Sequence, residues 1–357
     1  ERRRAATVRP PHHLSAKRVD HMSRWASRLQ YTPVQRGVAP LSRLTNSQAE
    51  RFGIPVTPLE VRVRTRPWRR VVVAMKRGTY PSFAYKIHES TRRMQTAKTF
   101  DARLAIMAHD RKDAGYKLAE RAGVPVPIVH ARLNKIDDID WAAMPDRIVV
   151  KPLRGSASRG VYLLERRSPG HWFDHLNGAA VTETQVVEEL QALVSENKVG
   201  RPMIVEELLA PHPDVAGVVA VPDDLKVFTF YDQPAVIMQR RCFGTHDMSQ
   251  YRFRFWDAGW NDLGPVKYAD RLDTGMAPPT LRDEVIDTVS RLGRELGASF
   301  ARIDVYETAR GVVFGEITPH PGPLAGWRED LDRLLGYEWE IAETRLAAEG
   351  RPIIIPR

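Results

Sequence analysis

"ARIDVYETARGVVFGEITPHPGP", residues 301–323, places one carboxylate in each of two apolar runs. Asp304 lies inside "RIDVY" and Glu316 inside "VVFGEIT", 316 − 304 = 12 positions later, so the stretch reads as a β-hairpin with an acid in each arm. An ionised carboxylate among apolar neighbours is costly to bury unless it is paired or bound to a metal. A hard divalent cation takes oxygen ligands, bridges phosphate groups and keeps few protein carboxylates. Arg302 competes for the same role, because it shares a strand face with Asp304 and offers a structural salt bridge. On these residues alone both readings stand.

The pattern around the hairpin is rich in short strands. "RIVVKPL" (147–153) and "GVYLLER" (160–166) flank the small polar loop "RGSASR" (154–159). "PMIVEELL" (202–209) reads as a strand ending in two acids, and "VPVPIV" after Gly123 leads into another. "LKVFTFY" and "AVIMQRR" are strands joined by a turn "DQP" at 232–234. Helices fit 41–53, 100–109, 112–122 and 181–196, with apolar residues of the last at 186, 187, 190, 193 and 194. A further helix fits 280–297, with Thr280 as N-cap and Gly297 as its stop, and a short last helix starts at "REDLDRLLG" (328–336). Residues 61–75 suggest strand, and 243–280 read as a loop region. Most neighbouring strands are linked as hairpins rather than through helical crossovers, which argues for an α+β fold and against a doubly wound parallel sheet.

Lys151 ends an apolar strand in "VVKP" and precedes the small-residue loop, which suits a cation and backbone N–H groups aimed at phosphate; an ordinary hairpin connection accounts for the same residues. The loop is neither a P-loop nor a dinucleotide fingerprint, since the spacing is wrong and no helix follows. Glu206 and Glu207 fall on opposite faces of their strand, one solvated and one at the strand end, or else beside a base and its sugar. Asp224, Lys226 and Phe228 share one face, and antiparallel pairing brings Arg240 and Arg241 near them, as a solvated face or as an anion clamp.

Composition bounds the class of protein. The 357 residues are 43% hydrophobic and 27% charged, as in an ordinary globular chain. "VVVAM" (71–75) and the other apolar runs are too short to span a bilayer, and no secretory-type segment is expected. A lone cysteine, Cys242, excludes an intramolecular disulfide and a cysteine zinc cluster, so a cytoplasmic protein is expected. Residues 1–70 hold 16 Lys/Arg against 4 Asp/Glu, a net of +12, while the whole chain carries +10. This basic arm is a solvated extension or a docking surface for an acidic peptide, carrier protein, anionic polymer or nucleic acid. Its few aromatics and the missing helix-turn-helix, zinc-finger and RNA-sheet motifs count against sequence-reading of nucleic acid.

Taken in order, these pieces resemble the ATP-grasp superfamily, and most of all the ATP-grasp proteins associated with teichuronopeptide synthesis. The stretches that carry the resemblance are "KTFDARLAIMAHDRK" (98–112), "LKVFTFYDQPAVIMQRR" (225–241), "FWDAGWN" (255–261) and "RIDVYETARGVVFGEIT" (302–318). It implies two α+β subdomains gripping ATP between antiparallel sheets: 112–205 with a mobile loop, and 206–330 with a metal site. Residues 1–70 and 71–111 would precede them as arm and lead-in, and 331–357 would follow as a C-terminal helix and tail. By resemblance, Lys112 and Lys151 contact the nucleotide phosphates, and Gly155, Ser156, Ala157, Ser158 and Gly160 fold over them. Glu206, Glu207 and Leu208 form the adenine edge, Lys226 approaches the terminal phosphate, and Asp304 and Glu316 hold Mg²⁺. Thr318 stands where the superfamily commonly has Asn as a third ligand. "DRK" replaces the usual "DK" before the nucleotide region, which leaves Lys117 as a substitute for Lys112.

The implied activity is an ADP-forming ligase that activates a carboxylate as an acylphosphate and joins it to an amine, with Arg240, Arg241 or Arg302 stabilising the acylphosphate. Such chemistry is positioning and charge neutralisation and needs no nucleophilic side chain. Small-molecule carboxylate and amine substrates follow from it. A kinase on the same ATP site, and a non-catalytic binder of anionic polymer or RNA, are the rival readings. Trp256, Asp257, Trp260 and His320 lie where an acceptor site is expected, though packing and turn roles fit them as well.

Overall fold

A computed structural model of the protein describes residues 81–96, 112–153, 158–216, 218–241, 247, 249–267, 269–322 and 327–351. The basic arm, the elements expected at 41–53, 61–75 and 100–109, loop residues Gly155, Ser156 and Ala157, Cys242 and the tail after Arg351 lie outside this set. No helix among the described residues is long and apolar enough to cross a membrane.

Two antiparallel sheets carry the fold. The first has six strands in the order β1-β6-β2-β3-β4-β5. They are β1 (Val129–Leu133), β2 (Arg147–Pro152), β3 (Tyr162–Ser168), β4 (His171–Asp174), β5 (Ala179–Thr182) and β6 (Met203–Glu207). Alternation turns Ile148, Val150, Leu164, Trp172 and Val205 to one face, where they pack on Val186 and Leu190 of helix Glu183–Ser195. That helix starts at a capping box in which Thr182 and Gln185 satisfy each other's backbone N–H groups. Lys151 and Glu206 are left on the opposite face.

The second sheet has the order β11-β10-β7-β8-β9, built from β7 (Asp224–Phe230), β8 (Gln233–Arg241), β9 (Arg252–Asp257), β10 (Ala301–Thr308) and β11 (Gly311–Thr318). Val285, Val289 and Leu292 of helix Arg282–Leu296 cover one face, against Leu225, Val227, Ile237, Ile303, Val305 and Ile317. We number the helices α1 (Phe83–Thr96), α2 (Lys112–Arg121), α3 (Glu183–Ser195), α4 (Arg282–Leu296) and α5 (Glu329–Ala348). On the other face, α1 and α5 bury an aromatic cluster of Phe83, Phe228, Phe230, Phe300, Trp327 and Trp339. The Phe83 ring meets Phe300 edge-on at 5.0 Å and Trp327 at 5.6 Å. The charged residues of β7, β8, β10 and β11 gather beyond this cluster.

Both edges of the second sheet are occupied. Along β11, Val312 N donates to Glu284 Oε1 at 2.8 Å and Phe314 N to Pro125 O at 2.9 Å. Along β9, Phe255 O and Phe253 O accept from Leu263 N and Asp273 N, and Asp257 N donates to Asn261 O.

The strands and helices expected from 112 onward are present; the short strands β4 and β5 are not among those expected, and four further differences appear. Residues 252–257, expected within a loop region, form β9, because Phe253 and Phe255 point into the core while Arg252 and Arg254 alternate outward. The turn expected at 232–234 is made by Tyr231 and Asp232, with Tyr231 at φ 56. Thr280 is not a cap: α4 starts after Leu281, and the Thr280 hydroxyl donates to Asp214 Oδ2 at 2.9 Å. Gly297 does end α4, at φ 64, which a side chain would disfavour. The last helix runs on to Ala348, held by Trp339, Ala342 and Leu346 in the aromatic core.

Candidate active site

The register of the hairpin pairs Asp304 with Glu316 and then Val305 with Phe314, which leaves Gly315 as the extra residue of a β-bulge. The bulge keeps Glu316 on the same face as Asp304. A Cβ at position 315 would stand 2.8 Å from Tyr306 Cε2 and 3.0 Å from Asp304 O, so glycine alone fits there without displacement.

Asp304 is 1% exposed and fully engaged. Arg302 Nε donates to its Oδ1 at 2.6 Å, Arg302 Nη2 to its Oδ2 at 2.7 Å, and Lys226 Nζ also reaches Oδ2. Lys226 in turn bridges to Asp224 Oδ2 at 2.7 Å, which also accepts from Arg240 Nη2 at 2.5 Å. The second oxygen of Asp224 is buried and accepts no hydrogen bond among the described residues. Glu316 is looser: its side chain is 41% exposed, and its contacts to Lys112 Nζ and Arg302 Nη2 are both 3.3 Å. Burial pushes the Asp304 carboxyl up, against the pull of Arg302 and Lys226. At Asp224 burial is outweighed by Lys226 and Arg240, and at Glu316 by Lys112, Lys226 and Arg302, so both are held below the usual carboxylate range.

Arg302 Nη2 touches Asp304, Glu316 and, at 2.8 Å, Thr318 Oγ1. The three residues expected to bind metal therefore converge on a single cationic nitrogen. Two carboxylates and a hydroxyl are the hard oxygen donors that Mg²⁺ accepts, and the weakly held Glu316 opens toward the cleft. The donor set fits such an ion in place of the guanidinium. No cluster of three or more His, Cys, Asp or Glu that could hold a metal occurs among the described residues, so most of its shell would be phosphate and water oxygens.

The first sheet faces this group through Lys151, which pairs with buried Glu206. Tyr116 OH donates to Glu206 Oε2 at 2.6 Å and lies 3.4 Å from Lys151 Nζ. Burial lowers the Lys151 pKa, with Lys112 adding to the shift and Glu206 opposing it. Burial and Glu206 raise the Tyr116 phenol well above its ordinary value. Tyr116 also packs edge-on against Phe314 of the second sheet at 6.1 Å. Helix α2 thus touches both sheets, with Lys112 on Glu316 and Tyr116 on Glu206.

Other expected residues fall outside this group. Arg241 pairs with Asp223 at 2.6 Å, one residue out of phase with Arg240. Glu207 Oε2 accepts from Ile128 N at 3.1 Å and Arg310 Nη2 at 2.6 Å, and Leu208 N is 3.4 Å from Arg147 O. Ser158 and Gly160 have φ 56 and 70, and a Cβ at Gly160 would meet Leu190 of α3 at 3.1 Å. Lys117 is exposed, whereas Lys112 reaches the site. Trp256 Nε1 donates to Gln239 at 2.9 Å, and Asp257 accepts from Gly259 N and Asn261 N, which are packing and turn roles. His320 Nε2 lies 3.0 Å from Ser90 Oγ of α1, and burial lowers its pKa to about 4. Tyr116 was missed in the sequence, although its i+4 spacing from Lys112 puts both on one helix face. Tyr306 was missed as well. It is half-buried, its phenol forms no hydrogen bond among the described residues, and burial with Asp224, Glu316 and Asp304 raises its pKa well above normal.

Comparison with known proteins gives one extended sequence match. The sequence profile of the TupA-like ATPgrasp family matches residues 91–340. A search of curated proteins finds no match. Among solved structures, the ATP-grasp ligase PsnB, in complex with a phosphomimetic variant of its minimal precursor, Mg and ADP, is 15% identical over 67% of this chain and 60% of its own, with a TM-score of 0.39. D-alanine–D-alanine ligase from Bacillus anthracis with ATP is 13% identical over 68% of both chains, TM-score 0.42. An L-amino acid ligase from Bacillus licheniformis is 10% identical over 62% of this chain and 43% of its own, TM-score 0.39. The chain thus spans about 60% of the length of the PsnB structure.

Proposed function

The chain belongs to the TupA-like ATP-grasp family, and from that premise we propose that it is an ADP-forming ligase joining a carboxylate to an amine, as in amino-acid or peptide bond formation. The observation that carries the reading is the facing of Lys112 and Lys151 with Lys226, Arg302 and Arg240 around four acids, Glu206, Asp224, Asp304 and Glu316. Five cations against four acids leave the cleft net positive, which suits a polyphosphate and a carboxylate together.

In this reading Lys112 and Lys151 bind the phosphates, and Tyr116 with Glu206 orients the Lys151 ammonium. Arg302, held flat against Asp304, and Lys226 face the terminal phosphoryl group and the substrate carboxylate. They offset the charge that builds as the carboxylate oxygen attacks phosphorus and ADP leaves. The amine then attacks the acylphosphate carbonyl, the C–O bond to phosphate breaks, and the amine's proton leaves with the departing phosphate. Asp304, Glu316 and Thr318 would hold Mg²⁺, which when bound supplies charge neutralisation of the phosphates.

Incubation with ATP, Mg²⁺ and pooled amino acids and other carboxylic acids should release ADP only when a carboxylate is present. Mass spectrometry should find a product equal to acid plus amine less water. ADP release independent of any carboxylate, or a product heavier by one phosphate, would reject the ligase reading.

A further inference from the structure

Both carboxylate oxygens of Glu316 are held by cations of this chain. Oε1 accepts from Arg302 Nη2 and Oε2 from Lys112 Nζ, each at 3.3 Å. The two cations are not bound alike. Arg302 also has Asp304 at 2.6 and 2.7 Å and Thr318 at 2.8 Å, and its side chain is 13% exposed. Lys112 has Glu316 as its single ionic partner among the described residues, and the Glu316 side chain is 41% exposed. Deeper in the cleft, Lys226 and Asp304 form the opposite kind of pair, both buried and each shared with a further partner. A partly exposed contact of this length, made by an ammonium on a flexible stem, contributes little to stability and comes apart readily. Lys112–Glu316 is therefore the pair in this site that can be exchanged without breaking a buried network.

The place of Lys112 in its helix is a second observation. It is the first residue of α2, the end at which a helix favours an acid over a cation. A lysine is unfavourable there unless an anion faces it, and Glu316 is that anion. A divalent ion that took Glu316 by itself would strand Lys112. It would also enter a cleft in which five cations already face four acids, 5 − 4 = +1. A polyphosphate arriving with the ion removes both costs, because it offsets the added charge and gives Lys112 a new anion.

We propose that Lys112 is a displaceable counter-ion that keeps a divalent cation off Glu316 until a polyphosphate arrives, so that metal and polyphosphate enter the site together. This rests on the ATP- and metal-binding reading of the same cleft.

The test is Mn²⁺ binding to the full chain, followed by water-proton relaxation, which separates ion on the protein from ion on free nucleotide. Wild-type protein should bind Mn²⁺ at least about tenfold more tightly with a non-hydrolysable ATP analogue than alone. Lys112→Met should bind Mn²⁺ alone about tenfold more tightly than the wild type does, while losing affinity for the analogue. Lys112→Gln repeats that measurement where circular dichroism shows the methionine variant unfolded. Lys112→Arg keeps the charge and should exclude Mn²⁺ as the wild type does. Lys117→Met removes the same charge from the exposed side of α2, where it forms no ion pair among the described residues, and should also match the wild type. Equal Mn²⁺ affinity of the wild type with and without the analogue would overturn the assignment of Lys112 and leave the ligase reading intact. So would no gain on removing Lys112, or an equal gain on removing Lys117. A wild-type protein that takes up Mn²⁺ under neither condition removes the metal site and the counter-ion together.

Discussion

Asp304→Asn should cost about 3–5 kcal/mol of stability and reduce ATP turnover to background. The carboxylate is 1% exposed and is shared by Arg302 and Lys226, whose side chains are 13% and 7% exposed. An amide cannot offset two buried positive charges, and Asp224, already shared between Lys226 and Arg240, cannot take over both. Removing one cation instead, as Arg302→Met, leaves Asp304 with Lys226, so this variant should be clearly the less destabilised of the two. The double variant Asp304→Asn with Arg302→Met should regain part of the stability of the single Asp304 variant and none of the activity. Denaturant midpoints and carboxylate-dependent ADP release measure the two effects separately. An Asp304→Asn protein with an unchanged midpoint would show that the triad of Arg302, Asp304 and Lys226 does not exist in solution.

Gly336→Ala is the second large effect, expected at about 3 kcal/mol, the upper end of the usual cost of overpacking. Gly336 lies on the face of α5 that meets the segment leading into α1. A Cβ there would fall well inside van der Waals contact distance of Pro81 O and Pro81 C, and 2.9 Å from Ser82 N. These are backbone atoms, so no side chain can swing aside. The two helices would have to separate, loosening Phe83 from Phe228, Phe230 and Phe300. Gly322→Ala is the control, since nothing among the described residues lies within 4 Å of a Cβ there and its φ is outside the left-handed region. A urea midpoint for Gly336→Ala equal to that of Gly322→Ala would mean that α1 and α5 do not pack this closely. Where the variant stays folded, phosphate binding should survive, because Lys112 and Lys151 belong to other elements.

Which parts of this were legible in the sequence follows from range. β2, β3, β6, β7 and β8 and helices α3 and α4 announce themselves by local alternation or helical spacing, and the hairpin by two apolar runs around "ETARG", whereas β4 and β5, four residues each, are too short to do so. The acids in the hairpin could be recognised as needing partners, but not which partner would take them. Arg302 prevails in this arrangement because it is two residues from Asp304 on the same face, the shortest route open to a guanidinium. β9 escaped notice because arginines occupy its outward positions, so its alternation looked like a charged loop. The hydrogen bond of Tyr116 reaches across 90 residues to Glu206, and the Tyr306 ring sits over a bulge at Gly315, and neither leaves a mark in nearby sequence. Arg240 and Arg241 are adjacent and chemically alike, yet strand pleating sends them to different acids.

The occupied rims of the second sheet bear on how an extended polypeptide would be recognised. Val312 and Phe314 on one side, and Phe253, Phe255 and Asp257 on the other, have already given their outward main-chain groups to neighbours in the same chain. A visiting peptide, or a second copy of the protein, could join the second sheet by strand addition at those positions only by displacing these contacts.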